Sequence, residues 1–240
     1  MAAYSGFKDA SCVFVDAINI APVMDSLSMK KSAVLDERRF LGNAWPTQCD
    51  TGARHGELSM SGVLNSPTSD TIATLSTGTS IVSALLGGNA VDVPFHGFQA
   101  AKVTGVDVAL SQDKVQEFTP EFTVTGRVNY GVVVAPYVNR VAAANTDATW
   151  ASRSDPTSAS GYAFMHVGTY TGGATKVVVK VRTSATHGSF ADLATFLDVT
   201  AVGAQVLTIP SGILEHLSIS WAWTGGTTPA FDAFVGVAVD

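Results

Sequence analysis

Alternation of apolar and polar residues with a period of two dominates this chain, and that period belongs to half-buried strands. Val106, Val108 and Leu110 alternate with Asp107 and Ala109. Phe118, Phe122 and Val124 alternate with Thr119, Glu121, Thr123 and Thr125. Ser111–Lys114 between these runs reads as a hairpin loop. Val128, Tyr130, Val132 and Val134 predict the next strand, which Pro136 is expected to end. Val177, Val179 and Val181 then alternate with Lys176, Lys180 and Arg182, and Leu217, Ile219, Trp221 and Trp223 with His216, Ser218 and Ser220. Phe231, Val235, Val237 and Val239 make the final run. Strands of this kind belong to antiparallel sheets with one face on a core.

Helical signal is scarce. Ser69 or Asp70 is placed to cap one short helix through Leu75, with Pro67 upstream. Ser80–Leu86, followed by Gly87-Gly88-Asn89, reads as a strand into a turn. Asn139–Ser160 is rich in Ala, Ser, Thr and Asn and contains the turn-forming Asp155-Pro156, which makes it the best boundary. The expected organisation is a β domain over 1–140, a linker over 141–160, and a C-terminal β-sandwich over 161–240. Turn signals at Gly172-Gly173, Gly188, Gly203, Pro210-Ser211-Gly212 and Gly225-Gly226 space the strands of that last part.

Composition adds three constraints. At 240 residues, the chain can bury a sizeable core. It is 46% hydrophobic and only 14% charged, which suits either a large β core or surface buried against partners. Its net charge of −6 is spread evenly and forms no basic patch, so tight binding to phosphate backbones is not expected. Cys12 and Cys49 are too few for a disulfide framework; their pairing is open, with thiols in a reducing cytoplasm favoured. The N-terminal segment lacks the basic start and apolar run of a signal peptide, and no run approaches the ~18 apolar residues of a membrane helix. The expectation is a soluble protein made inside a cell, without a membrane partner.

No enzyme motif emerges. Neither a Gly-x-Ser-x-Gly elbow nor a Walker phosphate loop occurs, and the Gly pairs read as turns. Cys49 and His55 share one segment, but two ligands do not make a zinc site, so neither a metal nor a cofactor is expected. His166 and His216 sit in strand patterns and are expected to face solvent or a neighbouring subunit; His96 follows Pro94-Phe95 and reads as a turn residue. Asp36 and Glu37 beside Arg38 and Arg39 suit ion pairing better than acid–base catalysis, with a solvated charged loop nearly as good a reading. Trp221 and Trp223 share a strand face. Aromatic pairs can stack on sugars, but among Leu217 and Ile219 the stronger reading is core.

Leu35–Asn65 reads as a long charged loop running into a strand. Asp36, Glu37, Arg38, Arg39, Asp50, Arg54 and Glu57 bring both signs together, and Phe40, Leu41 and Trp45 supply aromatic and aliphatic anchors. A long connection of this kind is usually functional or disordered, and these anchors argue against disorder. Leu35, Asp36, Phe40, Gly42, Trp45, Gly52, Gly56, Leu58, Ser59, Ser61 and Gly62 resemble the loop-plus-strand signature of major tail tube proteins of long-tailed bacteriophages. Ser59-Met60-Ser61-Gly62-Val63 occupies the place of that family's strand-ending turn. Ala174–Ser184, Phe190–Phe196 and Trp221–Gly225 followed by Phe231 resemble the small β-sandwich at the C-terminus of some tail and capsid-surface proteins.

The resemblance implies a mainly β, antiparallel sandwich or barrel of tail-tube type with one short helix, plus a C-terminal β-sandwich. Residues 1–140 are short for the tube part, so strands after Gly161 either complete the tube fold or form a separate domain. It implies a structural virion protein, made in the host bacterial cytoplasm, that self-assembles into stacked hexameric rings. Its partners would be itself, a tape-measure protein, other tail proteins, and DNA in transient passage. Asp36, Glu37, Arg38, Arg39, Phe40, Trp45 and Arg54 are the expected subunit interface. Asp107, Glu117 and Glu121, opposite the apolar stripes of their strands, are the expected lumen-facing carboxylates. The alternative is a capsid decoration or carbohydrate-binding sandwich, supported by the C-terminal half and Trp221/Trp223.

Overall fold

The computed structural model describes residues 12–38, 47–63, 78–109, 117–125, 128–140, 145–149, 159–171, 173, 175–186, 188–225 and 230–239. The fold is mainly β and antiparallel, as the period-two runs require. Two compact units share the chain. The first comprises Met1–Pro22, Ile81–Gly97 and Asn129–Asp240; the second comprises Val23–Ser80 and Phe98–Val128.

The first unit is a sandwich. Its larger sheet contains β1 (Cys12–Val15), β2 (Ile18–Asn19), β5 (Thr79–Leu85), the start of β6 (Pro94–Ala109) up to Gly97, β8 (Val128–Arg140), β10 (Ala159–Thr171), β13 (Gly203–Ile213) and β15 (Ala230–Val239). Their order is β13-β10-β15-β8-β6-β5-β1-β2. The smaller sheet contains β9 (Asn145–Thr149), β11 (Lys176–Ser184), β12 (Ala191–Thr195) and β14 (His216–Thr224), in the order β12-β11-β14-β9. Alternation along β11 and β14 sends Val177, Val179, Val181, Leu217, Ile219 and Trp221 into a core shared with Ala163, Met165, Val167, Phe231, Ala233, Val235 and Val237 of β10 and β15.

β10 and β15 bury their other face too. Phe164 and Phe234 join Cys12, Phe14, Leu85, Phe95 and Val133 in a second, aromatic core. Two-sided burial explains why Phe231–Ala238 reads as a nearly continuous apolar run, not a clean alternation. Glycine makes room for these rings: a Cβ at Gly97 would lie 2.7 Å from Phe164, and one at Gly236 would lie 2.5 Å from Phe95.

The second unit is built on β3 (Met24–Arg38), β4 (Thr47–Val63), β7 (Glu117–Thr125) and the part of β6 from Phe98 on. β4 lies between β3 and β7, and β7 pairs in turn with β6. Leu27, Leu58, Met60, Ala101, Val103, Phe122 and Val124 are buried, whereas Glu57, Lys102 and Glu121 are exposed. This is the one-faced burial that alternation predicts.

Three expectations change. The segment beginning at Leu35 is not a long loop: Leu35–Arg38 and Thr47–Val63 belong to two long strands, with Leu35 opposite Asp50 and Arg38 opposite Thr47. Cross-strand hydrogen bonding satisfies this polar backbone, and register shifts near Met24/Ser26 and Ala33/Leu35 interrupt the alternation that marks a strand in sequence. The expected division at 141–160 does not coincide with the two units, because β8 before it is hydrogen-bonded to β15 after it. Pro136 does not end its strand. β8 continues to Arg140, and the pairing shifts between Ala233 and Val235, a bulge that tolerates the missing N–H. Other expectations match: β5 spans the run from Ser80, and β6 and β7 pair as the predicted hairpin. The expected helix from Ser69 or Asp70 to Leu75 lies outside the described residues; the helical turn described is a 3-10 turn at Ala21–Val23.

Candidate subunit interface

The β3–β4 pair carries four of the expected interface residues, Asp36, Glu37, Arg38 and Arg54. Its strands are 15 and 17 residues long. On one side β4 is covered by β7; on the other it is covered by β3. Among the described residues β3 has β4 as its partner strand and presents an open edge. Asp36, Glu37 and Arg38 stand on that edge strand, opposite Cys49, Gln48 and Thr47. Arg54 stands on β4 opposite Ala33. Arg39, Phe40 and Trp45 lie outside the described residues. Ser26 and Ser61 share a 2.6 Å hydroxyl–hydroxyl hydrogen bond that ties the N-terminal end of β3 to β4.

The three proposed lumen residues fall on the neighbouring β6–β7 hairpin. Asp107 is opposite Thr119, and Glu117 is opposite Ala109. Glu121 is exposed, and its carbonyl accepts a hydrogen bond from Thr104 Oγ1 at 3.3 Å. The backbone register thus brings the three carboxylate residues onto two adjacent strands.

Cations on the smaller sheet of the first unit are largely self-neutralised. Lys176 Nζ lies 2.7 Å from Asp198, and Lys180 Nζ lies 2.6 Å from Asp192, which also meets Arg182 Nε at 3.4 Å. The hydrogen bond from Lys180 holds the Asp192 carboxyl below the usual carboxylate range. Alternation along β11 therefore yields a ladder of ion pairs, not a basic stripe.

His166 does not face solvent. It is fully buried on the aromatic side of β10, with its ring stacked on Phe14 at 5.1 Å. Its Nδ1 lies 2.6 Å from the Asp16 carbonyl oxygen, and its Nε2 lies 2.8 Å from Ser83 Oγ. A carbonyl can only accept, so Nδ1 carries the proton and Ser83 donates to Nε2. Burial lowers the His166 pKa to about 4. A serine hydroxyl on an oriented imidazole is the geometry of a nucleophile and its base. Here both side chains have 0% exposure, so no substrate carbonyl can reach the hydroxyl.

His96 is not in a turn. It lies on β6, edge-to-face with Tyr130 at 4.6 Å, and burial lowers its pKa to about 4. Trp221 is 2% exposed and packs edge-to-face on Phe231, with the Arg140 guanidinium 4.6 Å above its ring. Trp223 is partly buried against the same core. Neither Trp forms an exposed sugar platform. No group of three or more His, Cys, Asp or Glu placed to hold a metal occurs among the described residues.

Sequence reasoning missed the open β3 edge and the aromatic cage around Phe14. Leu27 and Met29 alternate with Ser26 and Ser28, a short local signal for β3, but Lys30-Lys31 breaks it. The cage is assembled from β1, β8, β10 and β15, which no local pattern connects.

No protein-family model matches the sequence, and no curated protein matches it significantly. Solved structures do show a likeness. A chain of the virion of a native gene transfer agent particle is 14% identical, with a TM-score of 0.41 over 51% of this chain and 95% of that one. A chain from the tail of an empty gene transfer agent particle, with C6 symmetry, is 14% identical, with a TM-score of 0.40 over 51% and 96%. The Dit protein of phage SPP1, a hub protein of the adsorption apparatus, is 11% identical, with a TM-score of 0.32 over 95% and 98%.

Proposed function

We propose that this chain is a structural tail protein of a phage-type particle, whose activity is assembly into stacked rings that form a tube for DNA. One observation carries the reading: a 15-residue edge strand, β3, bears the mixed charges Asp36, Glu37 and Arg38. In an isolated subunit such an edge is an aggregation hazard. In a closed ring of heterologous contacts, each edge is covered by the next subunit, and stacking adds the axial direction. The charge-poor composition fits a chain that buries surface on assembly. The described residues of the sequence signature, Leu35, Asp36, Gly52, Gly56, Leu58, Ser59, Ser61 and Gly62, fall on these same two strands.

In this reading Asp36, Glu37, Arg38, Arg39, Phe40, Trp45 and Arg54 form the joint, and Asp107, Glu117 and Glu121 line the channel. Carboxylates keep DNA mobile, whereas a cationic lining would hold it by counterion release. Hexameric rings, a tape-measure partner and a place in the virion tail belong to the same proposal. The test is negative-stain microscopy of the purified protein at high concentration. Rings or tubes of uniform diameter are expected; discrete monomers under every condition would end the tube reading.

A further inference from the structure

The β1–β2 hairpin is seated in the first unit through a small number of well-defined contacts. Phe14 is the plug. Its ring lies 4.9 Å from Tyr137, 5.1 Å from His166 and 5.5 Å from Phe234, and it has no exposed surface. The Asp16 turn is the latch. Asp16 adopts φ 51°, a left-handed conformation that is uncommon for a residue with a side chain. It persists because three bonds hold it: its N–H donates to the Ile81 carbonyl at 2.8 Å, its Oδ1 accepts from Ile81 N at 2.8 Å, and its carbonyl accepts from His166. Ala17 closes over Gly168, where an added Cβ would lie 3.2 Å from its carbonyl oxygen. Within the hairpin, Asn19 Oδ1 accepts from the backbone N–H groups of Val13 and Ala21, both at 3.2 Å. The hairpin is therefore a preformed piece with its own internal bonds.

Its covalent connection is unusual. Residues up to Pro22 belong to the first unit, but the chain from Val23 to Ser80 belongs to the second. From the hairpin, the chain thus runs through the other unit before it returns at Ile81 to the sheet that receives the hairpin. The joint is the 3-10 turn Ala21-Pro22-Val23. An element held by backbone pairing to β5 and by the side-chain contacts above, and followed by a chain segment that belongs to a separate unit, can fill the same socket in another copy with the same bonds. That equivalence makes exchange of an identical element inexpensive in free energy.

We propose that the β1–β2 hairpin is exchanged between copies of this chain, so that Phe14 and Asp16 of one subunit complete the β5, β8, β10 and β15 socket of its neighbour. The proposal rests on the self-assembly reading and adds its means: each socket in the assembly is incomplete without a partner's residue.

Register supplies the test. Cys12 is opposite Leu85, and Val13 is opposite Ala84. In a Cys49→Ser background, Leu85→Cys places a second thiol across from Cys12. A second variant, Val13→Cys with Ala84→Cys and both native cysteines replaced by Ser, reads the same contact without removing the buried leucine. Each protein is concentrated, sized by sedimentation, oxidised and run on a denaturing non-reducing gel. A ladder of covalent dimers and larger species is expected. Internally closed monomers alone overturn the exchange. If those monomers come from sedimenting rings, the assembly reading stands; if they come from sedimenting monomers, both fall.

Discussion

Nδ1 of His166 donates to the carbonyl oxygen of Asp16 at 2.6 Å, across 150 residues of sequence. This bond fixes the tautomer of a fully buried imidazole and fastens the Asp16–Ala17 turn to a central strand. Burial of that imidazole makes stability depend on acid, and the bond to Asp16 works in the opposite direction.

Burial lowers the folded-state His166 pKa to about 4, against 6.5 for the free side chain. Between these values the unfolded state binds the extra proton and the folded state does not. Stability is therefore undiminished above pH 6.5, falls as pH drops through the window, and reaches its full loss near pH 4. A shift of this size corresponds to about 3 kcal/mol. Its two ring nitrogens are engaged by the Asp16 carbonyl and the Ser83 hydroxyl, both of them neutral groups. Urea midpoints measured at pH 7, 5.5 and 4.5 should fall in that order, and His166→Gln should flatten the trend. Its remaining slope is assigned to His96, whose pKa is lowered in the same direction.

Gly236→Ala should destabilise the first unit by roughly 1–3 kcal/mol, the usual range for overpacking a core. The added methyl would meet Phe95 at 2.5 Å and Phe234 at 2.8 Å, and neither ring has room to retreat from the aromatic core. Chemical denaturation followed by tryptophan fluorescence checks this. A neutral substitution would mean that these rings can repack.

Trp221→Ala should cost about 3–5 kcal/mol, as for other large aromatics removed from a core. It leaves the Arg140 guanidinium without the ring beneath it. An exposed sugar-stacking Trp would behave oppositely, losing ligand affinity with little change in stability. Parallel measurement of the unfolding midpoint and of binding to a panel of oligosaccharides separates the two roles.

Replacing Phe40 and Trp45 together with Ala should block ring formation while leaving a folded monomer. Large aromatics carry a disproportionate share of interface energy. Sedimentation reports assembly, and far-UV circular dichroism reports the fold. Tubes of normal length would remove these residues from the joint.

The sandwich was legible because its strands keep strict alternation. Val177, Val179 and Val181 point inward as their spacing requires, and Lys180 and Arg182 point outward to Asp192. The part of the β3–β4 pair between Leu35 and the strand signal at Leu58 was read as a loop because charged residues such as Asp36, Glu37 and Arg54 obscure its period, and cross-strand hydrogen bonds leave no trace in composition. His166 was misplaced for a related reason. On a strand buried on both faces, alternation no longer separates inside from outside, and the partners that satisfy its nitrogens are distant in sequence. The units were misdrawn because β8 and β15 pair across a stretch that reads as a linker.

The position of β15 has a consequence for synthesis. It lies between β10 and β8, yet Ala230 is translated long after Arg140. Until the ribosome has passed Val239, β8 and β10 lack their shared neighbour, and the apolar residues that meet Phe234 and Val235 stay uncovered. Long-range pairing of this kind slows folding. A chain cut short before Ala230 therefore lacks the strand between β8 and β10 and cannot close the sandwich.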